Sequence, residues 1–220
     1  ETLIRNTDYD LEAPDNQNIY SVFVRHFSVC QGYAKATQYL LNRLGVECTL
    51  VLGTVETGEG HAWNLVKVDG DYYYVDTTWG DVSYQTDGTF SEEEGASLVM
   101  PEINYDYLNV TTEELLRTHS IGGEVPMPLC TARAANYYVQ EGAFFASYDR
   151  EQMEALFQRA AESGQKDITV KCADAACYEE ILKILIEDQE IFQYLSEGEN
   201  RIAYAQNEKQ LSLTFWVTNE

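Results

Sequence analysis

The apolar pattern of the chain changes period three times in its first third. From Cys30 the apolar and small residues Tyr33, Ala34, Thr37, Leu40, Leu41 and Leu44 recur at helical spacing, and Gly45 offers a left-handed stop, which predicts a helix starting at Cys30. Ahead of it, Ile19–Phe27 is apolar and reads as a short helix leading into Cys30, while residues 1–18 are polar and read as a surface segment. Glu47–Gly53 predicts a strand with Cys48 as a core thiol inside it. Thr54–Gly60, with two glycines and two glutamates, predicts a loop beside His61 that forms one lip of a cleft. His61–Val68 and Asp71–Trp79, rich in Trp, Val and Tyr, predict two strands joined by Asp69-Gly70, a strong hairpin signal.

Beyond Trp79 the periodicity loosens, and Gly80–Pro101 reads as a long acidic loop. Asn104–Val110 is expected to return to the sheet, followed by a short capped helix over Thr111–Arg117. The two glycines and two prolines of Gly122–Pro128 mark a boundary, giving a first domain over 1–128 and a second over 129–220. The second reads as a strand (Tyr137–Tyr148), a helix (Arg150–Ser163), a strand (Asp167–Cys172), a helix (Cys177–Glu187) and strands near Arg201–Gln206 and Leu211–Val217. It carries no evident catalytic constellation. The fold class is α+β.

Composition narrows the partners. With 14 basic and 37 acidic residues among 220, the net charge is −23, which argues against nucleic acid and against anionic membrane surfaces. No run approaches the roughly 18 apolar residues of a membrane span. The first residue is Glu rather than Met, so a mature form or an excised piece is expected. Five cysteines leave the compartment undecided: Cys172 and Cys177 suit a disulfide better than a metal pair, because no histidine or second cysteine pair accompanies them.

The candidate chemistry lies between Cys30 and Trp79. Cys30 falls in the first turn of its helix, where unpaired amides and the positive end of the dipole favour an anionic nucleophile. With Val68 opposite Asp71, His61 faces Thr78 and Trp63 faces Asp76. Asp76 is then the diagonal neighbour of His61 on the same face of the sheet, roughly 7 to 8 Å away between backbones and within side-chain reach. The helix start is expected to lie against that face. Cys30, His61 and Asp76 thus supply a nucleophile, a base and a group to orient the base. Taken singly each has a plain alternative: a buried thiol, a satisfied strand-end histidine, a strand cap. His26 reads as structural, and for His119 a second role in the site stands beside a structural one. Asn109-Val110-Thr111 matches a glycosylation sequon by pattern.

The blocks V-C-Q-G-Y-A-K-A from Val29, G-H-A-W-N-L-V from Gly60 and Y-Y-V-D-T-T-W-G-D from Tyr73 resemble the core of the transglutaminase-like superfamily, compact bacterial type, whose fold is related to that of papain-like cysteine proteases. The resemblance covers about Gln17–Asp81, with Ser28 where many members have Gly. It implies a nucleophile helix packed on an antiparallel sheet, followed here by a small α+β domain. It also implies Cys30 as nucleophile, His61 as general base and acid, Asp76 as the orienting carboxylate, and Gln31, Tyr33, Trp63 and Trp79 around a substrate cleft. The oxyanion would be held by the Cys30 amide and a second donor, for which Gln31, Tyr20 and Asn18 are candidates.

The implied activity is thiol acyl transfer on a peptide or protein amide, with hydrolysis preferred over cross-linking. A non-catalytic extracellular binding module is the rival from another class. The mechanism requires no metal or organic cofactor, and the implied setting is extracellular or on a bacterial cell surface. The oligomeric state is not legible.

Overall fold

A computed structural model describes residues 1–81, 101–165, 167–196 and 198–218. They fall into two compact units, one of residues 1–81 and 101–137 and one from residue 138 onward. In the first unit α1 (Thr2–Arg5) and β1 (Asp8–Tyr9) lead to a π-type turn at Ser21–Arg25, where a regular helix was expected. β2 (Phe27–Ser28) pairs with β1 in parallel, and α2 (Cys30–Arg43) follows at once. His26, between the π-type turn and β2, is in a left-handed conformation with its Nδ1 3.0 Å from the Asn6 carbonyl, a local structural role.

β3 (Cys48–Val55), β4 (Gly60–Val68) and β5 (Asp71–Val75) form the centre of the sheet. The Asp69-Gly70 turn has φ of 52° and 96°, the two positive values a type I′ hairpin requires, and Val68 pairs with Asp71 as the sequence predicts. β5 ends at Val75 rather than at Trp79, because the Asp76 side chain accepts the Thr78 and Trp79 amides and turns the chain. The expected acidic loop over Gly80–Pro101 lies, from 82 to 100, outside the described residues. A 3-10 turn at Tyr105–Tyr107 leads into β6 (Leu108–Val110). Next come α3 (Thr112–Leu115), opened by a Thr111–Glu114 capping box, and β7 (His119–Ile121). The Asn109 amide of the sequon donates to the Ala135 carbonyl, 2.9 Å away, and is already spent.

The five strands run in the order β6-β5-β4-β3-β7, every pair antiparallel. β4 is buried on both faces because each has its own cover. On one, Trp63, Leu65 and Tyr74 pack with Val51, Val110, Leu115 and Cys130. On the other, Cys48, Val66, Tyr73 and Val75 pack with Leu41 of α2. Asn64 Nδ2 donates to the Ala34 carbonyl and fastens the helix to that second face. The first unit therefore runs past 128 to Tyr137, since Cys130 belongs to its core and the Cys130 carbonyl accepts the Thr112 amide.

In the second unit the run expected as a strand over Tyr137–Tyr148 is instead a helical turn, α4 (Tyr137–Gln140), and a two-residue strand, β8 (Phe144–Phe145). Gly142, at φ 63°, breaks the extended path between them. α5 (Arg150–Ser163) is capped by Asp149 and stopped by left-handed Gly164; β9 (Asp167–Cys172) and α6 (Ala175–Leu182) follow. β10 (Arg201–Asn207) and β11 (Ser212–Thr218) complete a sheet of order β10-β11-β9-β8. Cys172 and Cys177 are buried free thiols, Cys177 donating to the Phe145 carbonyl. Among the described residues no helix is long and apolar enough to cross a membrane.

Candidate active site

Cys30 is the first residue of α2. Val29 before it is extended and offers no side-chain cap, and no acidic residue stands in the first turn, so the positive end of the helix is left uncompensated at the thiol. The approach is tight. Ser28 Oγ donates to the Asn16 carbonyl at 2.6 Å and lies 3.0 Å from Ser21 Oγ, and a Cβ on Gly32 would overlap that same Oγ. Ser28, where the family pattern often has Gly, is thus an anchor for the loop that delivers Cys30.

The body of α2 lies on the other face of β4, and only its start reaches His61. α2 and Asn64 share one side of β4, whereas His61 and Trp63 alternate to the other. Cys30 meets His61 at the N-terminal end of β4, beyond the last β4–β5 pair at Asn64 and Val75, where β5 no longer flanks the strand. Both groups act there on one imidazole. Its Nε2 is 2.6 Å from Asp76 Oδ2, and the Cys30 side chain hydrogen-bonds to the same ring. Burial opposes the charged imidazole, but the Asp76 carboxylate outweighs it and, with the Cys30 contribution, raises the His61 pKa to about 10. Asp76 is itself buried, which would raise its pKa; the His61 charge, a hydrogen bond from His119 and one from His61 hold it well below the usual carboxylate range instead. A carboxylate oxygen only accepts, so Nε2 of His61 is the protonated nitrogen and Nδ1 is left for the thiol.

His119 completes the cluster. Its Nε2 is 3.0 Å from the same Oδ2 of Asp76, its Nδ1 is 2.9 Å from Thr118 Oγ1, and that hydroxyl is 3.2 Å from the Tyr107 phenol. Its ring packs 4.7 Å from Trp79 and 5.0 Å from Trp63. His61, Asp76 and His119 present three ligand atoms within 4.8 Å of one another, a set that would suit a transition metal by type. The separations of 2.6 and 3.0 Å are those of hydrogen bonds, shorter than the roughly 3.3 Å between tetrahedral ligands about 2.0 Å from an ion.

Two residues expected to line the cleft do not. Tyr33 is fully buried with its hydroxyl donating to the Thr7 carbonyl at 2.6 Å and Asp81 Oδ2 at 2.8 Å, and Trp63 is fully buried beneath the His61 ring at 5.9 Å. Both support the site from inside because they face cores. Gln31 and Trp79 keep partial exposure. Of the oxyanion candidates, Asn18 spends its Oδ1 on the Tyr20 and Ser21 amides and its Nδ2 on the Asp15 carbonyl, which removes it. Gln31 uses only its Oε1, toward Lys35, so its amide nitrogen stays available, while Tyr20 stands largely exposed.

Residues 1–77 match the transglutaminase-like superfamily, and the matched stretch holds Cys30, His61 and Asp76. The kyphoscoliosis peptidase of Mus musculus is 28% identical over 94 residues, covering 36% of this chain and 14% of the relative. This chain therefore spans a small part of that relative's length. A solved structure described as a crystal structure of a TGase aligns with a TM-score of 0.32 at 20% identity, covering 44% of this chain and 26% of that one. The transglutaminase-like match stops before His119, which the sequence left undecided. The signal that points to it is T-H-S-I after a capped helix, an extended segment able to add to the edge of β3.

Proposed function

We propose that the protein is a thiol-dependent acyl transferase on peptide or protein amides, with hydrolysis as the outcome. The observation that carries this reading is the His61–Asp76 hydrogen bond of 2.6 Å on an imidazole that Cys30 also engages from an uncapped helix start. The superfamily, one of thiol-dependent acyltransferases and peptidases, supports it at the level of class. Cys30 Sγ, its proton held by His61, attacks the amide carbonyl. The developing oxyanion is met by the Cys30 amide and a second donor, for which Gln31, with its amide nitrogen uncommitted, is the candidate. His61 returns the proton to the leaving nitrogen, the C–N bond breaks and a thioester remains on Cys30. Water, deprotonated by His61, then attacks the thioester carbonyl, releasing the acid and restoring the thiol. Asp76 keeps the imidazole oriented throughout.

The test is iodoacetamide alkylation of Cys30 from acid to alkaline pH, read by mass spectrometry in wild type and His61→Ala. The proposal expects reaction well below the ~8.5 of a free thiol, and loss of that low-pH arm in the variant. A profile with an ordinary thiol midpoint that ignores His61 would sink it and leave a binding module. Incubating denatured casein with the enzyme and a fluorescent primary amine separates the outcomes: new N-termini or released acid mean hydrolysis, amine incorporated at glutamine means cross-linking.

A further inference from the structure

We infer that His119 is a positioning residue of this site, clamping the Asp76 carboxylate through the same Oδ2 that His61 engages, so that the carboxylate holds the base in one orientation. The inference rests on the proposed thiol chemistry and adds a member that the family match does not reach.

Asp76 is 2% exposed, so each of its lone pairs needs a donor from the protein. Oδ1 accepts the Thr78 and Trp79 amides at 2.9 and 3.1 Å, while Oδ2 accepts His61 and His119 at 2.6 and 3.0 Å. Four donors converge on one carboxylate. The two amides come from its own turn and fix the backbone; of the two histidines, only His119 is free to do nothing but hold. Removing it would leave Oδ2 with one partner and let the carboxylate rotate about the Cβ–Cγ bond.

His119 is itself held. Its Nδ1 is tied to Thr118 Oγ1 and, through that hydroxyl, to Tyr107, and its ring fills the gap between Trp63 and Trp79. The strand register explains how a residue 43 positions from Asp76 arrives there. His119 on β7 pairs with Val55 of β3, and His61 on β4 pairs with Gly53 of the same strand, so both project from one face. Gly53 lies between them without a side chain, and the two rings come within 5.5 Å. The titratable groups around His119 are Asp76 and His61 from the hairpin and the Tyr107 phenol from the turn before β6; Trp63 and Trp79 bring no charge.

The decisive experiment is the same alkylation profile in wild type, His119→Phe and His119→Gln. Phenylalanine fills the space and cannot donate, whereas glutamine keeps an N–H near the position of Nε2. In His119→Phe the Cys30 rate near pH 5 should fall about tenfold, the effect of moving one pKa by roughly one unit, and converge on wild type at alkaline pH. His119→Gln should recover most of the loss. Unfolding has a different signature, because it would expose Cys48, Cys130, Cys172 and Cys177 and label them in the same spectrum. Superimposable profiles for wild type and His119→Phe, with a low-pH arm present in both, would overturn the role of His119 alone. A wild-type profile with no low-pH arm would overturn the thiol chemistry and this inference with it. Equal loss in both variants would make His119 a packing residue and also overturn the clamp.

Discussion

Trp63 occupies the space that a side chain on Gly53 would need. A Cβ on Gly53 would stand 2.5 Å from Trp63 Cη2 and would also strike the Ser120 carbonyl of β7. The glycine is required by its neighbours rather than by its backbone angles, since it is the point where Trp63 and the edge strand close over β3.

Gly53→Ala should therefore cost about 1–3 kcal/mol, as overpacking of a filled core does. It should also blunt Cys30 alkylation at acid pH, because relief of the clash moves either Trp63, on which His61 lies, or β7, which carries His119. Urea unfolding gives the first quantity and the alkylation profile the second. A stable variant with a wild-type profile would show that the β3–β7 approach is looser than the geometry states.

The loop that delivers Cys30 offers a second test. Gly32→Ala should be strongly destabilising because the new methyl overlaps Ser28 Oγ, while Ser28→Ala alone should cost about 0.5–1.5 kcal/mol by removing one of the two hydrogen bonds the Asn16 carbonyl accepts, the Val29 amide keeping the other. Removing the hydroxyl takes away the overlap with Oγ and leaves the position 28 Cβ at 3.0 Å and the Asn16 carbonyl at 3.2 Å. The double variant should be more stable than the sum of the two single losses, and a double-mutant cycle measures the difference. Additive losses would mean that the clash is relieved elsewhere.

Stability should follow pH through the His61–Asp76 pair. The folded pKa of His61 is raised, to about 10, so its contribution is fully present below the unfolded value near 6.5 and is lost as pH rises through about 10. The folded pKa of Asp76 is lowered, so its contribution is present above the unfolded value near 3.9 and is lost as pH falls below it. The deficit of Asp76→Asn relative to wild type should be largest between about pH 4 and 6.5 and shrink toward alkaline pH. Denaturant midpoints across that range check it; a deficit independent of pH would show that the pair is not ionised.

Local sequence was enough for the hairpin. Asp69-Gly70 sets the turn, the turn sets the register as far as Asn64 and Val75, and the bend at Asp76 just beyond it carries the carboxylate to His61, all within one continuous stretch. What local sequence did not carry was the choice between faces and between strand and turn. Tyr33 and Trp63 read as cleft aromatics because aromatic residues suit both a core and a binding wall, and only the two-sided burial of the sheet decides. The early end of β5 depends on the Asp76 side chain capturing two amides, a competition that strand propensity does not register. His119 was undecided for a topological reason: its place follows from β7 adding to β3 at the far edge, a pairing between segments with no shared turn to fix it.

Four of the five thiols are 8% exposed or less, whereas Cys30 keeps part of its surface open. A bulky electrophile added to the folded protein is consequently consumed one equivalent per chain. The number of working sites in any preparation becomes countable by stoichiometry, before a substrate has been identified, and every rate measured afterwards can be referred to active molecules rather than to total protein.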